Sequence, residues 1–266
     1  MSYCKMLATT FLLFSVSLVS AATPQTVRTP FVENWGQVPL ATLERQAKTF
    51  EGTYYLEGLG NSKVVALTYD DGPSKDTPAL LDVLKKNNVK ATFFWLGSNI
   101  EKHPDIAKRA LAEGHTLGNH SYNHPNLSDL QGDTWWTDQL AKTQDVYRKV
   151  LGVQPKLMRP PYGFLRDAQI EALKAHEMKA ILWSVDTADW YHTHTIKNDL
   201  EASQKIAGIV NQYVHPEAII LMHDAGGRGR VPTLMATELF IGQLKSQGYG
   251  FVTVDQLIKT DVAKAQ

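Results

Sequence analysis

Val64-Val65-Ala66-Leu67-Thr68-Tyr69-Asp70-Asp71-Gly72-Pro73 is an apolar run that ends in two adjacent carboxylates and a Gly-Pro turn. A short run apolar at nearly every position predicts a strand covered on both faces, as in a parallel sheet. About fifty residues on, His120-Ser121-Tyr122-Asn123-His124 supplies two imidazoles four positions apart. One carboxylate and two histidines suit a single divalent metal. The second carboxylate is then left beside that metal, where a hydrolytic base is wanted. The combination points to a metal-dependent hydrolase.

Outward from this strand, the pattern of strand then helix repeats. Strands are expected at 64–70, 90–97, 115–119, 156–159, 180–185, 218–223 and 250–254, with helices near 77–87, 104–113, 135–151, 167–177, 197–213 and 231–247. Asp76 is placed to cap the first helix, and Gly114 follows the second where a left-handed residue is wanted. Seven strands alternating with six helices predict an α/β fold with a parallel sheet, either open and doubly wound or closed as a barrel. The polar residues decide between them. Asp70 and Asp71 end the first strand, His120 follows the third, Arg159 ends the fourth, Asp186 and Asp189 follow the fifth, and His223 ends the sixth. Ends of so many strands converge only when the sheet curls. The expected fold is therefore a distorted (β/α)7-type barrel, TIM-like, with its active site at the C-terminal ends of parallel strands.

The 266 residues, 43% of them hydrophobic, are enough for a full core, and acidic and basic residues balance at 27 each. No run of like charge suggests a nucleic-acid footprint or a polybasic membrane surface. Residues 1–21 read as an export signal: Lys5 precedes an apolar run over 7–19, and Val19-Ser20-Ala21 offers a small-residue cleavage site. The alternative is an uncleaved anchor, but the run is shorter than the roughly 20 residues a spanning helix needs. The expected location is thus secreted, periplasmic or cell-envelope, with no membrane span after cleavage. Cys4, the only cysteine, lies inside the signal, which excludes a disulfide framework and a thiol nucleophile from the mature chain. Residues 22–62 form an extension with Pro24, Pro30 and Pro39 and a short helix near 40–50, whose Leu40, Leu43, Ala47 and Phe50 share one face. It is expected to pack on a barrel domain spanning 63–260, with a share in a substrate groove as the alternative. A monomer is expected.

Each chemical signal is weak alone. Asp-Gly-Pro after a strand is often a plain turn, and two histidines can be ordinary core or surface residues. Pro125 disfavours helical angles at His124, so a loop is expected there. Ser121 also stands where a zinc-protease helix would carry Glu. Arg159-Pro160-Pro161-Tyr162-Gly163 is either a rigid turn or a cation fixed beside a carboxylate. Asp186-Thr187-Ala188-Asp189-Trp190 and Leu221-Met222-His223-Asp224 could merely cap strand ends. Their joint occurrence, in order and at strand termini, carries the inference.

Taken together, these five stretches resemble the five ordered motifs of the polysaccharide deacetylases, the carbohydrate esterases with a NodB homology domain, over roughly residues 63–258. Tyr69 stands where Phe is frequent. The resemblance implies a distorted barrel of seven or eight strands and a divalent ion on Asp71, His120 and His124. Zinc is the first choice for that ion, with cobalt, manganese or nickel also suited. It further implies Asp70 as general base, Arg159 as its partner, the backbone N–H of Tyr162 at the oxyanion, and His223 as general acid oriented by Asp189. Trp190 and Leu221 would wall the acetyl pocket. The implied reaction is removal of N-acetyl groups from N-acetylglucosamine in a β-1,4-linked glycan, either chitin oligomers or peptidoglycan. The rivals are O-deacetylation of a glycan such as acetylxylan and, from another class, a non-catalytic carbohydrate-binding barrel. Outside the motifs, Trp135-Trp136 reads as core anchors of a helix start, with a sugar-stacking platform as the alternative. Tyr191, His192 and His194 read as a surface loop beside the site, with a subsite lining or a stray metal as the alternatives.

Overall fold

The computed structural model describes Met1 and residues 26–29 and 37–259; the expected export signal and Cys4 otherwise lie outside the described residues. The strands in chain order are β1 (Tyr54–Tyr55), β2 (Val64–Asp70), β3 (Thr92–Trp95), β4 (Thr116–Asn119), β5 (Leu157–Met158), β6 (Lys179–Ile181), β7 (Val185–Asp186), β8 (Ala218–His223) and β9 (Gly250–Phe251). The helices are α1 (Leu40–Thr49), α2 (Thr77–Lys86), α3 (Gly97–Lys102), α4 (Pro104–Ala112), α5 (Lys142–Leu151), α6 (Asp167–Ala175), α7 (Asp189–Thr195), α8 (Asp199–Tyr213), α9 (Val231–Ser246) and α10 (Val254–Leu257). A π-helical stretch, Trp135–Ala141, leads into α5.

Every pairing of these strands is parallel, along the path β1-β6-β5-β4-β3-β2-β8-β7, with β9 beside β2. In a flat sheet the six steps from β6 to β7 would span about 29 Å. Yet only Leu182, Trp183 and Ser184 join the two, a reach of at most about 14 Å. The sheet must curl, and it forms the expected distorted barrel. The distortion has a visible cause. Expected strand 180–185 splits as it changes neighbours: its first part pairs with β5 and β1, its last with β8. β1 fills the gap, with the Leu182 N–H bonded to the Tyr55 carbonyl at 2.8 Å. A two-residue strand has no readable period, which is why β1 was not expected.

Both faces of β2 are buried, as its apolar run requires. Val65, Leu67 and Tyr69 face outward and pack with residues of α2, α8 and α9 such as Leu80, Ile206 and Phe240. Ala66 faces inward with Phe94, Met158, Ile181, Ile219 and Leu221, and this inner cluster also takes in Leu43 and Ala47 of α1. Four local expectations need correction. Asp76 precedes α2 but makes no side-chain cap bond; its carboxylate accepts instead from the Arg230 N–H at 3.1 Å. The expected helix 135–151 begins as a π-helix, and 250–254 is strand only at its first two residues. Tyr191, His192 and His194 lie in α7 rather than a surface loop, and His192 is buried.

Inside the barrel, Gly118 of β4 admits Phe94 so closely that an added Cβ would come within 2.5 Å of the ring. Gly118→Ala should therefore destabilise the fold by about 1–3 kcal/mol, the usual cost of overpacking. Urea denaturation measures this, and an unchanged midpoint would contradict the packing described.

Candidate active site

Parallel register brings the motif stretches to one end of the barrel. Asp70 lies opposite Phe94 of β3 and His223 of β8. Asn119 lies opposite Trp95 and Met158, so His120 and Arg159 emerge side by side. Asp186 lies opposite Leu221. Of the ten residues singled out in the sequence, Asp70, Asp71, His120, His124, Tyr162, Trp190, Leu221 and His223 line one cavity of about 260 Å³. Arg159 and Asp189 stand behind it, fully buried. The cavity is smaller than the ~300–1,000 Å³ that encloses a drug-sized ligand, which suits one ring or side group of a larger molecule.

The donor atoms of Asp71, His120 and His124 all lie within 4.8 Å of one another. The Nε2 atoms of His120 and His124 are 3.4 and 3.2 Å from Asp71 Oδ1. His120 Nδ1 donates to the Arg159 carbonyl at 2.7 Å, which turns Nε2 toward Asp71. Burial, then the neighbouring His120, push His124 down to about 4, so it meets neutral pH uncharged. Asp71 Oδ1 is buried without a hydrogen-bond partner among the described residues. Two imidazole lone pairs and an orphaned carboxylate oxygen aimed at one point are a donor set for a cation, and a divalent metal fits it. Burial alone would raise the Asp71 pKa, but the surrounding histidines outweigh it and hold the group well below the usual carboxylate range.

Backbone geometry sets this trio. Asp71, Ser121 and His124 have φ of 74°, 72° and 66°, a region non-glycine residues seldom adopt. Each turn is held by a bond. Asn99 donates to the Asp71 carbonyl at 2.7 Å, Asn119 accepts from the Ser121 N–H at 2.9 Å, and Ser121 Oγ accepts from the His124 N–H at 3.1 Å. The loop expected at His124 is present.

Asp70 is treated differently from its neighbour. Arg159 Nη1 donates to Asp70 Oδ1 and to Thr68 Oγ1, both at 2.8 Å. The rest of the guanidinium bonds the carbonyls of Ile181 and Leu182 at 2.8 and 2.7 Å and lies over the Phe94 ring at 4.3 Å. Asp70 Oδ2 remains on the cavity side, 3.8 Å from His120 Nε2.

At the end of β8, His223 Nδ1 is 2.7 Å from Asp189 Oδ1, while the His223 N–H and Thr233 Oγ1 donate to Asp189 Oδ2 at 2.9 and 2.8 Å. Arg230 Nη1 is 3.5 Å from the same oxygen. Burial opposes the charge on Asp189, but His223, then Arg230 and Thr233, hold its pKa below the ordinary value. Burial would likewise lower His223, yet Asp189 outweighs it and raises the imidazole to about 9. Nε2 is the nitrogen left for the cavity.

Several residues at the site escaped the sequence reading. Arg230 and Thr233 act on Asp189 from the turn before α9 and from α9 itself, outside the motif stretches. Asp224 was seen only as part of a motif. It is fully buried, accepts from Thr77 Oγ1 at 2.5 Å and Trp95 Nε1 at 3.1 Å, and its N–H bonds the Asp70 carbonyl at 3.0 Å, so it ties the Asp70–Asp71 turn to β8. Gln37 reaches the cavity from the N-terminal segment. A buried Asp in a polar motif was the one available signal. Trp135 is buried and Trp136 stacks on His176 with centroids 3.4 Å apart; neither lines the cavity.

A family model described as polysaccharide deacetylase matches residues 58–181. A peptidoglycan-N-acetylglucosamine deacetylase of Bacillus cereus is 39% identical over 225 residues, covering 84% of this chain and 76% of that protein. Among solved structures, the Bc1960 peptidoglycan N-acetylglucosamine deacetylase is 37% identical with a TM-score of 0.76, covering 85% of this chain and all of that one. The chitin deacetylase of Colletotrichum lindemuthianum is 33% identical with a TM-score of 0.71, covering 79% and 93%. Identity at this level across most of a relative's length, on a barrel of like topology, settles the ancestry: the chain belongs to the polysaccharide deacetylase family.

Proposed function

We propose that the protein removes N-acetyl groups from N-acetylglucosamine units of a β-1,4-linked glycan, peptidoglycan before chitin, and releases acetate. The observation that carries this is the orphaned Asp71 oxygen facing two imidazoles, with Asp70 and His223 lining the same cavity. Relatives named for N-acetylglucosamine and N-acetylmuramic acid in peptidoglycan, and for chitin, support the substrate class. Peptidoglycan as substrate would put the protein outside the cell membrane, in keeping with the export signal read at 1–21. Among the described residues no helix is long and apolar enough to cross a membrane.

Amide hydrolysis needs an activated water, a stabilised oxyanion and a proton for the departing amine. A divalent ion on Asp71, His120 and His124, zinc first, would supply Lewis-acid polarisation and a lowered water pKa. Asp70 takes the water proton through Oδ2, while Arg159 holds its other oxygen and fixes the carboxylate plane. The backbone N–H of Tyr162, in its left-handed turn, serves the oxyanion. His223 delivers a proton from Nε2 to the leaving nitrogen, and Asp189 keeps it charged and oriented. Trp190 and Leu221 confine the acetyl methyl. A charged proton donor of this kind favours an amide over an ester, whose leaving group needs protonation less.

Acetate release measured on peptidoglycan fragments, chitopentaose and acetylxylan tests the reading. Release from the first two, abolished by a chelator and restored by zinc, is expected. Release from acetylxylan alone, or none with zinc present, would sink it.

The His223 proton is lost as pH rises through its pKa, so this group sets the alkaline limb of the pH–rate profile. Asp189→Asn removes the carboxylate that raises that pKa, and the limb should move to lower pH. A limb that stays in place would show that another group donates the proton.

A further inference from the structure

One part of the cavity wall comes from outside the motif stretches. Gln37, in the segment before α1, lines the cavity with Asp186 and Trp190. Its Nε2 donates to Asp186 Oδ2 at 2.9 Å. The same carboxylate accepts from the Ala188 N–H at 2.7 Å and the Trp190 indole N–H at 3.3 Å. Asp186 is 4% exposed and takes no part in either the Asp70–Arg159 or the His223–Asp189 pair. A single buried carboxylate therefore sets both the aromatic wall and a side chain of the N-terminal segment.

That segment is fastened to the barrel at several points. Val27, Thr29, Val38, Leu40 and Leu43 line one small cavity together with Trp183 and Asp186. The Asp186 N–H bonds Thr29 Oγ1 at 3.2 Å, and the Arg28 N–H bonds the Ser184 carbonyl at 2.8 Å. Arg28 also forms an ion pair with Glu57. Val38 is buried so tightly behind the Tyr162 turn that a Cβ on Gly163 would come within 2.9 Å of it. Gln37 itself stays partly exposed at the cavity, presenting an amide, a neutral group that both donates and accepts and so matches sugar hydroxyls.

We propose that Gln37, held in place by Asp186, is a substrate-positioning residue that hydrogen-bonds a hydroxyl of the glycan in the cleft. This deepens the deacetylase reading and rests on it for the kind of ligand. The N-terminal segment is then part of the binding site, and Asp186 acts through Gln37 and Trp190 rather than on the reacting atoms.

The test is titration of chitotetraose into the Asp70→Asn protein, where turnover is blocked, and into the same protein carrying Q37A, D186N, D186L or Q37A with D186L. Q37A should weaken binding roughly three- to tenfold, the range of one neutral hydrogen bond. D186N, which keeps an acceptor, should cost less than D186L. The double variant should bind no worse than D186L alone, because the two residues form one device. Q37A binding as tightly as its parent, or Q37A and D186L effects that multiply independently, would overturn the proposal. Acetate release by the unsubstituted protein is scored separately. Its absence would remove the hydrolase reading while the titrations still decide the role of Gln37.

Discussion

Two consecutive carboxylates facing one small cavity cannot share one environment, and the site is arranged around keeping Asp70 and Asp71 apart. A continuing strand would turn Asp71 to the opposite face from Asp70. Its positive φ ends β2 and brings both side chains to the same cavity. Asp70 is then matched from inside the barrel by a fully buried guanidinium, while Asp71 is left to the imidazoles. Removing Arg159 would leave Asp70 an uncompensated buried carboxylate, which typically costs several kcal/mol. The Asp70–Arg159 pair thus serves both the fold and the site.

The same separation of roles recurs across the cavity. Asp189, pinned by Thr233, Arg230 and two bonds from His223, stays charged in a buried place and raises the imidazole it orients. Asp186, three residues earlier, has no cationic partner in direct contact among the described residues, and burial pushes it up to about 6. It accepts from amide and indole donors instead of orienting an imidazole. Asp224 is pushed up to about 7 by burial and accepts from Thr77 and Trp95. Five carboxylates around one cleft therefore differ by what faces them: a guanidinium for Asp70, an imidazole pair for Asp71, a dyad partner for Asp189, and neutral donors for Asp186 and Asp224.

Much of this was legible in the residues. The barrel followed from polar side chains at successive strand ends, and the β6–β7 segment shows why that inference works, since its short link forces closure. The loop at His124 followed from Pro125. What the sequence hid was either too short or too distant. β1 is two residues long, and α7 is seven residues of mixed polarity without a clean apolar face. Arg230, Thr233 and Gln37 meet the site only through tertiary contacts, from the start of α9 and the turn before it and from the N-terminal segment, where no local pattern marks them. The Asp76 cap failed because a carboxylate that suits a helix start was claimed by the Arg230 backbone.

The central claim is that the two neighbouring aspartates do different things: Asp71 ligates and Asp70 does not. Zinc titration by calorimetry on the native protein, Asp71→Asn and Asp70→Asn tests it most directly. One zinc per chain should bind the native protein and Asp70→Asn with similar affinity, while Asp71→Asn should lose binding by at least tenfold, as loss of a ligand demands. Equal losses in both variants, or a loss confined to Asp70→Asn, would contradict the account.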